Sequence, residues 1–326
     1  MRQASKSPPR LLCAALLAAV ISVHAESYPD KPIRMIVGFP PGGGADIVAR
    51  IVAAPLAEQL ATQIVVDNRP GAGSMTGTGV AAKAMPDGYT LLFATTSFTI
   101  NPNLYKNVPY DPVKDFAPIA QVGSSPFVLV VQAAMPVNTL QELIALAKSK
   151  PLTLNYSTGG NGSTGHLAGE LFRSMSKIEI QHVPYKGLAP ALTDLLGGRV
   201  QMTMSSLPSC IGYVKAGRLK ALAITTTNRL AMIPDTPTMS ESGLSGYNVD
   251  QWYGLLTAAE TPTPSVQKLY RALTGFLREP DAALSGHYAV LGVVPTLGTP
   301  EQFRTLIRSE LALWARVVKD SGAKAD

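Results

Sequence analysis

Apolar positions along the chain fall either in short continuous runs or at helical spacing. Residues 33–39 form a β-branched, apolar run that is typical of a buried strand. Two prolines and three glycines follow at 40–44, a composition that suits neither a strand nor a helix. From Asp46 to Leu60 the apolar residues recur at helical spacing. This stretch therefore predicts a strand, a glycine loop and a helix in direct succession.

The same alternation continues to the C-terminus and predicts an α/β fold, since strands joined through helices by short loops build βαβ units. Loops are predicted at 101–105 and 109–112. The further predicted strands span residues 64–67, 90–94, 127–132, 152–156, 178–183, 200–205, 220–225 and 250–256, and the further predicted helices span residues 77–85, 140–147, 166–175, 189–196, 264–277 and 300–319.

Two glycine-rich segments occupy the same kind of position, and we call them the first glycine loop (residues 40–46) and the second glycine loop (residues 157–165). Each follows a predicted strand and opens a predicted helix. Backbone N–H groups at a helix N-terminus lack partners and lie at the positive end of the helix dipole, and glycine lets an anion approach closely. A plain β–α turn is the alternative for either loop alone. Because this strand–glycine loop–helix arrangement occurs twice, we expect residues 42–46 and 158–164 to converge on one carboxylate.

The second glycine loop also matches GxGxxG, the dinucleotide fingerprint, at residues 160–165. Against dinucleotide binding, the following strand ends at Gln181 and His182 and lacks the acid that would bind the ribose. The sequence contains neither GxxxxGK[ST] nor GxSxG, so it lacks a phosphate-binding P-loop and the nucleophile elbow of a hydrolase. These patterns favour a binding cleft over an active site.

The remaining chemistry-bearing residues are sparse. His166, His182 and His287 are scattered without metal-ligand spacing, although His166 at a helix start could reach a ligand. Cys210 would be the only cysteine after removal of an N-terminal leader, which leaves no intramolecular disulfide. We therefore expect no metal and no cofactor.

Residues 1–25 have the pattern of a secretory signal peptide, with a basic start, an apolar stretch at 11–23 and small residues around a cleavage site near Ala25. A retained membrane anchor is the alternative. Removing this leader leaves 25 basic and 22 acidic residues, a net charge of +3. So mild a charge counts against nucleic-acid binding. The sequence thus predicts export to the periplasm.

Several motifs stand in one order along nearly the whole mature chain, and in this order they resemble the Bug proteins, the periplasmic solute-binding receptors of tripartite tricarboxylate transporters. The motifs are Phe39-Pro-Pro-Gly-Gly-Gly-Ala-Asp46, Asn68-Arg-Pro-Gly-Ala-Gly73, Tyr110-Asp-Pro, Ser157-Thr-Gly-Gly, Gly165-His-Leu-Ala-Gly-Glu-Leu171, His182-Val-Pro-Tyr-Lys-Gly187 and Trp252-Tyr-Gly254. The resemblance implies a type II periplasmic-binding-protein fold, with two α/β domains, a cleft between them, and one ligand carboxylate held by both glycine loops.

The expected lobes are residues 26–124 with 226–326, and residues 125–225, because a chain that builds a second lobe and returns must cross twice. Aromatic residues at strand ends, Phe39, Phe98 and Tyr185, suggest cleft walls. The predicted ligand-binding set is Phe39, Gly42, Gly43, Gly44, Ala45, Asp46, Ser97, Phe98, Thr158, Gly159, Gly160, Asn161, Gly162, Ser163, Thr164, His166, Tyr185, Lys186 and Ser205.

The function expected from these observations is capture of a small organic carboxylate by a monomeric, non-enzymatic receptor that delivers it to integral-membrane transporter subunits. An aliphatic dicarboxylate, an amino acid, a citrate-type acid and an aromatic acid such as phthalate all stay open as ligands. A secreted α/β hydrolase and a sensor subunit that uses the same cleft are the alternative functions.

Overall fold

The computed structural model describes residues 28–324, and the predicted leader lies outside this range. Within it, strands and helices alternate as an α/β fold requires. The strands are β1 (Ile33–Val37), β2 (Ile64–Asn68), β3 (Thr90–Thr95), β4 (Phe116–Gln132), β5 (Asn155–Thr158), β6 (Gln181–Pro184), β7 (Met202–Ser206), β8 (Leu219–Ile224) and β9 (Asp250–Ala258). The helices are α1 (Gly44–Leu60), α2 (Met75–Ala82), α3 (Ser97–Leu104), α4 (Leu140–Ser149), α5 (Thr164–Ser176), α6 (Leu188–Leu196), α7 (Leu207–Lys215), α8 (Thr263–Leu277), α9 (Ala282–Leu291) and α10 (Pro300–Ser321).

The predicted α/β class is confirmed, but one expected loop is a helix. Residues 101–105, predicted as loop, largely belong to α3, with Pro102 inside the helix. A proline lacks the N–H that would bond the carbonyl four residues earlier, here that of Phe98. The Tyr110 hydroxyl donates to that carbonyl instead, at 3.0 Å. The structure also contains α7, α9 and the first part of β4, none of which the sequence pattern predicted.

The long strand β4 changes partners along its length. Residues 116–126 pair antiparallel with β9, whereas residues 127–132 pair antiparallel with β7 and β8. On the first side the strand order continues from β9 to β3, β1 and β2, and on the other side from β7 to β5 and β6. The β1–β2, β1–β3, β5–β6 and β5–β7 pairs are parallel. Ligands of such sheets bind outside the carboxyl ends of the strands.

Helices cover both faces of the strands, which is why the strands read as nearly continuous apolar runs. In β1, Met35 packs into the cluster with α1 and α8, and Ile36 packs on the opposite face with Phe303 of α10. In the second part of β4, neighbouring residues likewise point to two separate clusters. Residues 239–249 pack into the cluster that the second part of β4 forms with α4 and α5, and the Tyr247 hydroxyl donates to the Ala168 carbonyl at 2.7 Å.

No helix between residues 28 and 324 is both long enough and apolar enough to cross a membrane.

Candidate functional site

The first glycine loop connects β1 to α1 and presents bare backbone at the helix start. Gly43 is the N-cap of α1 and supplies no side-chain cap. Asp46, only 3% exposed, accepts hydrogen bonds from the Gly42 N–H and the Asn68 amide, both at 3.0 Å. Arg50 donates to the same carboxylate at 3.0 Å. The aspartate therefore fixes the loop from behind.

Charge and hydrogen bonding keep Asp46 ionised. Burial alone would raise the pKa of this carboxyl. The hydrogen bonds from Arg50, the Gly42 N–H and Asn68, together with the charge of Arg50, outweigh burial and hold the pKa below its usual range. Because the negative charge is already paired with Arg50, it opposes an incoming anion only weakly.

The second glycine loop connects β5 to α5 and is supported by side chains of its own. The Gly160 N–H donates to Thr158 Oγ1 at 3.2 Å, and this oxygen lies 2.7 Å from His182 Nε2. The Gly162 N–H donates to His166 Nδ1 at 3.4 Å. Ser163 is the N-cap of α5, and its hydroxyl accepts from the N–H of His166.

The two histidines under this loop stack on each other, with ring centroids 4.4 Å apart, and His182 also stacks on Tyr156 at 4.8 Å. Burial, and then the neighbouring His166, lower the pKa of His182 to about 3. His182 is therefore neutral near pH 7. A neutral ring can accept a hydrogen bond from the Thr158 hydroxyl, whose oxygen can then accept one from the Gly160 N–H.

A third helix begins beside the two loops. Ser206 ends β7 and is the N-cap of α7, but its hydroxyl does not cap the helix backbone. Instead it lies 3.0 Å from the hydroxyl of Ser209. A Cβ added to Gly44 would overlap the Ser206 hydroxyl. The first glycine loop therefore approaches the start of α7 as closely as a bare backbone permits.

A cavity of about 30 Å³, here called the inner chamber, lies where these elements meet, and it has room for about two water molecules. The N-caps of α1, α5 and α7 all line it, as does Leu188 in the first turn of α6. Among the described residues that line it, none is charged. The lining consists of Phe39, Pro40, Gly43, Gly44, Ala45, Phe127, Gly159, Ser163, Thr164, Leu188, Ser206 and Gln251.

A larger open cleft of about 520 Å³, here called the outer chamber, shares Phe39, Pro40 and Gly159 with the inner chamber. Within the described chain, Lys186 is the one charged side chain that lines the outer chamber. The two chambers meet at a tight point, because a Cβ on Gly187 would overlap the ring of Pro40.

The structure distributes the predicted site residues over three positions. Seven line the inner chamber: Phe39, Gly43, Gly44, Ala45, Gly159, Ser163 and Thr164. Gly160, Asn161, Tyr185 and Lys186 line the outer chamber, which Phe39 and Gly159 also border. The others line neither chamber: Gly42, Asp46, Ser97, Phe98, Thr158, Gly162, His166 and Ser205.

Phe98 departs most from its predicted position as a cleft wall. Its side chain is 1% exposed and stacks on Tyr110, with ring centroids 5.4 Å apart. Phe116 and Trp252 meet the same ring edge-on. The end of β3 continues directly into α3, and this turn directs the ring into the core.

Five residues of the inner chamber were not predicted: Pro40, Phe127, Leu188, Ser206 and Gln251. Ser206 carried a usable signal, since a serine followed by Leu207 and Pro208 is a typical helix start. No local pattern marks Phe127 or Gln251 as a chamber residue. Phe127 lies in β4 and Gln251 in β9, and only the pairing of these two distant strands brings them together. Within the described chain no group of three or more His, Cys, Asp or Glu could hold a metal ion.

A family model and a full-length relative both point to the same protein family. Residues 48–323 match the family model described as tripartite tricarboxylate transporter family receptor. The chain is 36% identical over 304 residues to Protein BugT of Bordetella pertussis, and the match covers 93% of each chain.

Two solved structures from Rhodopseudomonas palustris are similar over nearly their whole length. Rpa4515, solved with adipate, shares 34% identity at a TM-score of 0.88, with 91% of this chain and 99% of that chain covered. MatC, solved with bound malate, shares 29% identity at a TM-score of 0.85, with 89% and 100% covered.

These matches agree with the observed fold. The family is a class of receptors and not of enzymes, and membership implies a periplasmic location. The fold is the type II periplasmic-binding-protein fold expected from the sequence motifs. The chain belongs to the Bug-type receptors of the tripartite tricarboxylate transporter family and is a periplasmic solute-binding receptor.

Proposed function

We propose that this receptor captures a small organic acid, with its carboxylate group in the inner chamber and the rest of the molecule extending toward the outer chamber. The observation that carries the proposal is the convergence of three helix N-termini, those of α1, α5 and α7, on one chamber that no charged side chain lines among the described residues. A helix start is equivalent to roughly +0.5 charge, so three of them supply about +1.5 to an anion.

The energies suffice for specific binding. Each helix end contributes about 0.3–1 kcal/mol, and up to about 2 kcal/mol in a partly buried setting. Each hydrogen bond from a backbone N–H to a charged ligand oxygen adds about 1.5–3 kcal/mol. After the ordering costs of binding are subtracted, these contributions reach about 8 kcal/mol, which corresponds to micromolar affinity. The carboxylates bound by Rpa4515 and MatC support this ligand class.

The ligand-binding set carried by the proposal consists of the predicted residues that line the two chambers, together with Ser206, Phe127, Leu188 and Gln251. Asp46, Thr158 and His166 support the two glycine loops through their hydrogen bonds to Gly42, Gly160 and Gly162. Lys186, exposed at the outer chamber, attracts the anion before it enters.

The proposal includes closure of two lobes, residues 26–124 with 226–326 and residues 125–225. The change of strand partners between Pro126 and Phe127 supports the first crossing. The close approach of Gly44 to Ser206 and of Gly187 to Pro40 supports a closed arrangement. A ligand that touches both glycine loops stabilises the closed form by its differential affinity.

The mature receptor, cleaved near Ala25, would then act as a monomer without turnover and deliver its ligand to the membrane subunits of a tripartite transporter. A thermal-shift screen across carboxylates tests the proposal. Ligand at 100 times its dissociation constant adds about 2.7 kcal/mol to the free energy of unfolding. We expect a raised Tm with at least one carboxylate and no consumption of it. A response to non-acidic compounds alone would contradict the proposal.

A further inference from the structure

Helix α10 packs on the cores of both proposed lobes. In its first half, Phe303 and Ile307 belong to a cluster with Ile36 of β1 and Trp252 of β9, here called the first-lobe cluster. In its second half, Trp314 belongs to the cluster that the second part of β4 forms with α4 and α5, here called the second-lobe cluster. Rotation of one lobe against the other therefore has to bend or shift α10 between Ile307 and Trp314.

Glu310 lies in this connecting stretch, beside the only two tryptophans of the chain. Trp314 Nε1 donates to Glu310 Oε2 at 2.6 Å. The indole N–H of Trp252 lies close enough to favour the charged carboxylate, but it is buried and has no hydrogen-bond partner within residues 28–324. In the observed arrangement the carboxylate thus bonds the tryptophan of the second-lobe cluster and leaves that of the first-lobe cluster unsatisfied.

Asp250 places a second carboxylate at the crossing between the lobes. It is the first residue of β9 and pairs with Pro126, immediately before β4 changes partners. Burial raises the pKa of Glu310 above its ordinary value, and the negative charge of Asp250 raises it further. Burial also raises the pKa of Asp250, but this residue is more exposed than Glu310, so the loss of hydration falls mainly on Glu310.

In the described chain, no basic group balances these two acids. The titratable side chains on the neighbouring elements are Asp250 and Tyr253 of β9 and His166, Glu170 and Arg173 of α5, whereas α3 and β4 carry none. Glu170 and Arg173 pair with each other, and His166 stacks on His182. On α10 itself, Arg308 and Arg316 are exposed and stand two and six positions from Glu310, spacings that do not bring side chains together on a helix. Asp250 is therefore the charge that acts on Glu310.

We propose that Glu310 is a proton-sensitive positioning residue between the lobes, with Asp250 as its partner: its ionised form favours the open receptor and its protonated form the closed one. This inference rests on the lobe closure that the proposed function includes. In the closed arrangement a charged Glu310 is partly buried, has no base beside it and is repelled by Asp250. Opening moves α10 at this stretch and admits water to the charge. A protonated Glu310 avoids that cost and still accepts the N–H of Trp314.

The sign of the pH effect follows from the direction of the pKa shift. The closed arrangement holds the Glu310 proton to a higher pH than a hydrated glutamate, whose ordinary pKa is 4.5. Below that value both arrangements are protonated, and the closed form has its full stability. As the pH rises above 4.5 and through the raised pKa, the open form releases the proton first, so the closed form loses relative stability.

Tryptophan emission of the ligand-free mature protein tests the titration, because Glu310 lies beside both fluorophores. The wild type should show a transition with a midpoint above pH 4.5, and Glu310→Gln should lose it. Asp250→Asn should move the midpoint to lower pH, since it removes the repelling charge. Glu301→Gln, which changes an exposed acid of the same helix, should keep the wild-type transition. A transition that persists in Glu310→Gln, or a midpoint that Asp250→Asn leaves in place, overturns the inference.

Small-angle scattering of the same ligand-free proteins tests the coupling to closure. The radius of gyration of the wild type and of Glu301→Gln should increase between pH 5 and pH 8, whereas Glu310→Gln should stay at the compact value. With the carboxylate that most raises the Tm, Glu310→Gln should bind about threefold tighter than the wild type at pH 8 and equally well at pH 5. A wild-type radius that ignores pH contradicts the inference. Because emission and scattering need no ligand, a receptor that binds no carboxylate fails the proposed function alone.

Discussion

Thr158 Oγ1 lies 2.7 Å from His182 Nε2, and this contact ties the second glycine loop to the neighbouring strand β6. Burial and the adjacent His166 lower the pKa of His182 to about 3, against about 6.5 in the unfolded chain. The unfolded state therefore binds the proton more readily. The stability that this histidine contributes is complete above pH 6.5 and is lost as the pH falls from 6.5 toward 3.

As the pH falls from 7 to 5, His182 takes up a proton in the unfolded state but not in the folded state. We expect this to lower the free energy of unfolding by about 2 kcal/mol. Urea unfolding of the wild type and of His182→Gln isolates this contribution, since glutamine keeps a hydrogen-bonding oxygen but does not titrate. The variant should lose about 2 kcal/mol less than the wild type over the same range. Equal losses in the two proteins would show that His182 does not cause the acid sensitivity.

Gly73 touches the second glycine loop from the other side of the cleft. A Cβ at this position would lie 2.5 Å from the Asn161 carbonyl oxygen and 2.8 Å from the Gly162 carbonyl carbon. Backbone atoms cannot rotate away as a side chain does. Gly73→Ala should therefore hold the lobes apart, weaken carboxylate binding at least tenfold and raise the radius of gyration of the ligand-saturated protein in small-angle scattering.

Gly73 also has a φ of +59°, so alanine brings backbone strain of about 1 kcal/mol in addition to the steric contact. Gly246→Ala is the matched control, with a φ of +81° and no atom within 4 Å of an added Cβ. This control should lose similar stability but keep normal affinity and closure. If both variants bind normally, the contact at Gly73 does not limit closure.

Tyr156 joins the histidine stack to the buried carboxylate of Glu170, whose ion-pair partner Arg173 is partly exposed. Its hydroxyl donates to Glu170 Oε1 at 2.5 Å, and Arg173 pairs with the other carboxylate oxygen. Removing the donor leaves a buried, charged acceptor partly unsatisfied, so Tyr156→Phe should lower the free energy of unfolding by about 1–3 kcal/mol. Tyr270→Phe, which removes a hydroxyl that forms no hydrogen bond within residues 28–324, should change stability by less than about 0.5 kcal/mol. Denaturant unfolding of both variants would refute this if their losses were equal.

Cys210 is predicted to be a packing residue. It is fully buried near the start of α7, and burial raises the pKa of its thiol to about 12. Cys210→Ala should cost about 1 kcal/mol of stability, because a buried apolar atom is lost, and should leave carboxylate affinity unchanged. The folded wild type should also resist thiol reagents at pH 8. Rapid modification, or a large loss of affinity in the alanine variant, would contradict the packing role.

The sequence predicted most of the strand and helix positions, because strands buried on both faces form short continuous apolar runs, while the helices show apolar residues at helical spacing. It also located both glycine loops, since glycine and proline mark such turns directly. It could not show that Ser206 and α7 supply a third helix start beside the loops. That arrangement depends on the pairing of β7 with β4, a long-range contact that leaves no local pattern.

The predicted aromatic wall shows the same limit. Phe39 and Phe98 both follow apolar strands, so the pattern treats them alike. Phe39 lines both chambers, whereas Phe98 enters a core cluster with Tyr110, because α3 begins immediately after β3. Strand ends identify the edge at which a ligand binds, but the direction of each side chain is decided by the element that follows.

The central claim is that the bare start of α1 holds the ligand carboxylate, and Gly43→Val tests it most directly. At Gly43 φ is −81° and ψ is 163°, a conformation that valine adopts readily. An added Cβ would meet only the Pro40 carbonyl oxygen, at 3.6 Å, so the fold should persist. Gly160→Val is less suitable, because φ is +117° there and a Cβ would lie 2.8 Å from the Tyr185 carbonyl oxygen.

Gly286→Val, at a position in α9 with no atom within 4 Å of an added Cβ, is the control for the change in side chain. The measurement is calorimetric titration of the three proteins with the carboxylate that most raises the Tm of the wild type. We expect Gly43→Val to remain folded and to lose at least tenfold in affinity, about 1.4 kcal/mol, while Gly286→Val binds as the wild type does. Undiminished binding by a folded Gly43→Val protein would contradict the assignment of the carboxylate to the inner chamber.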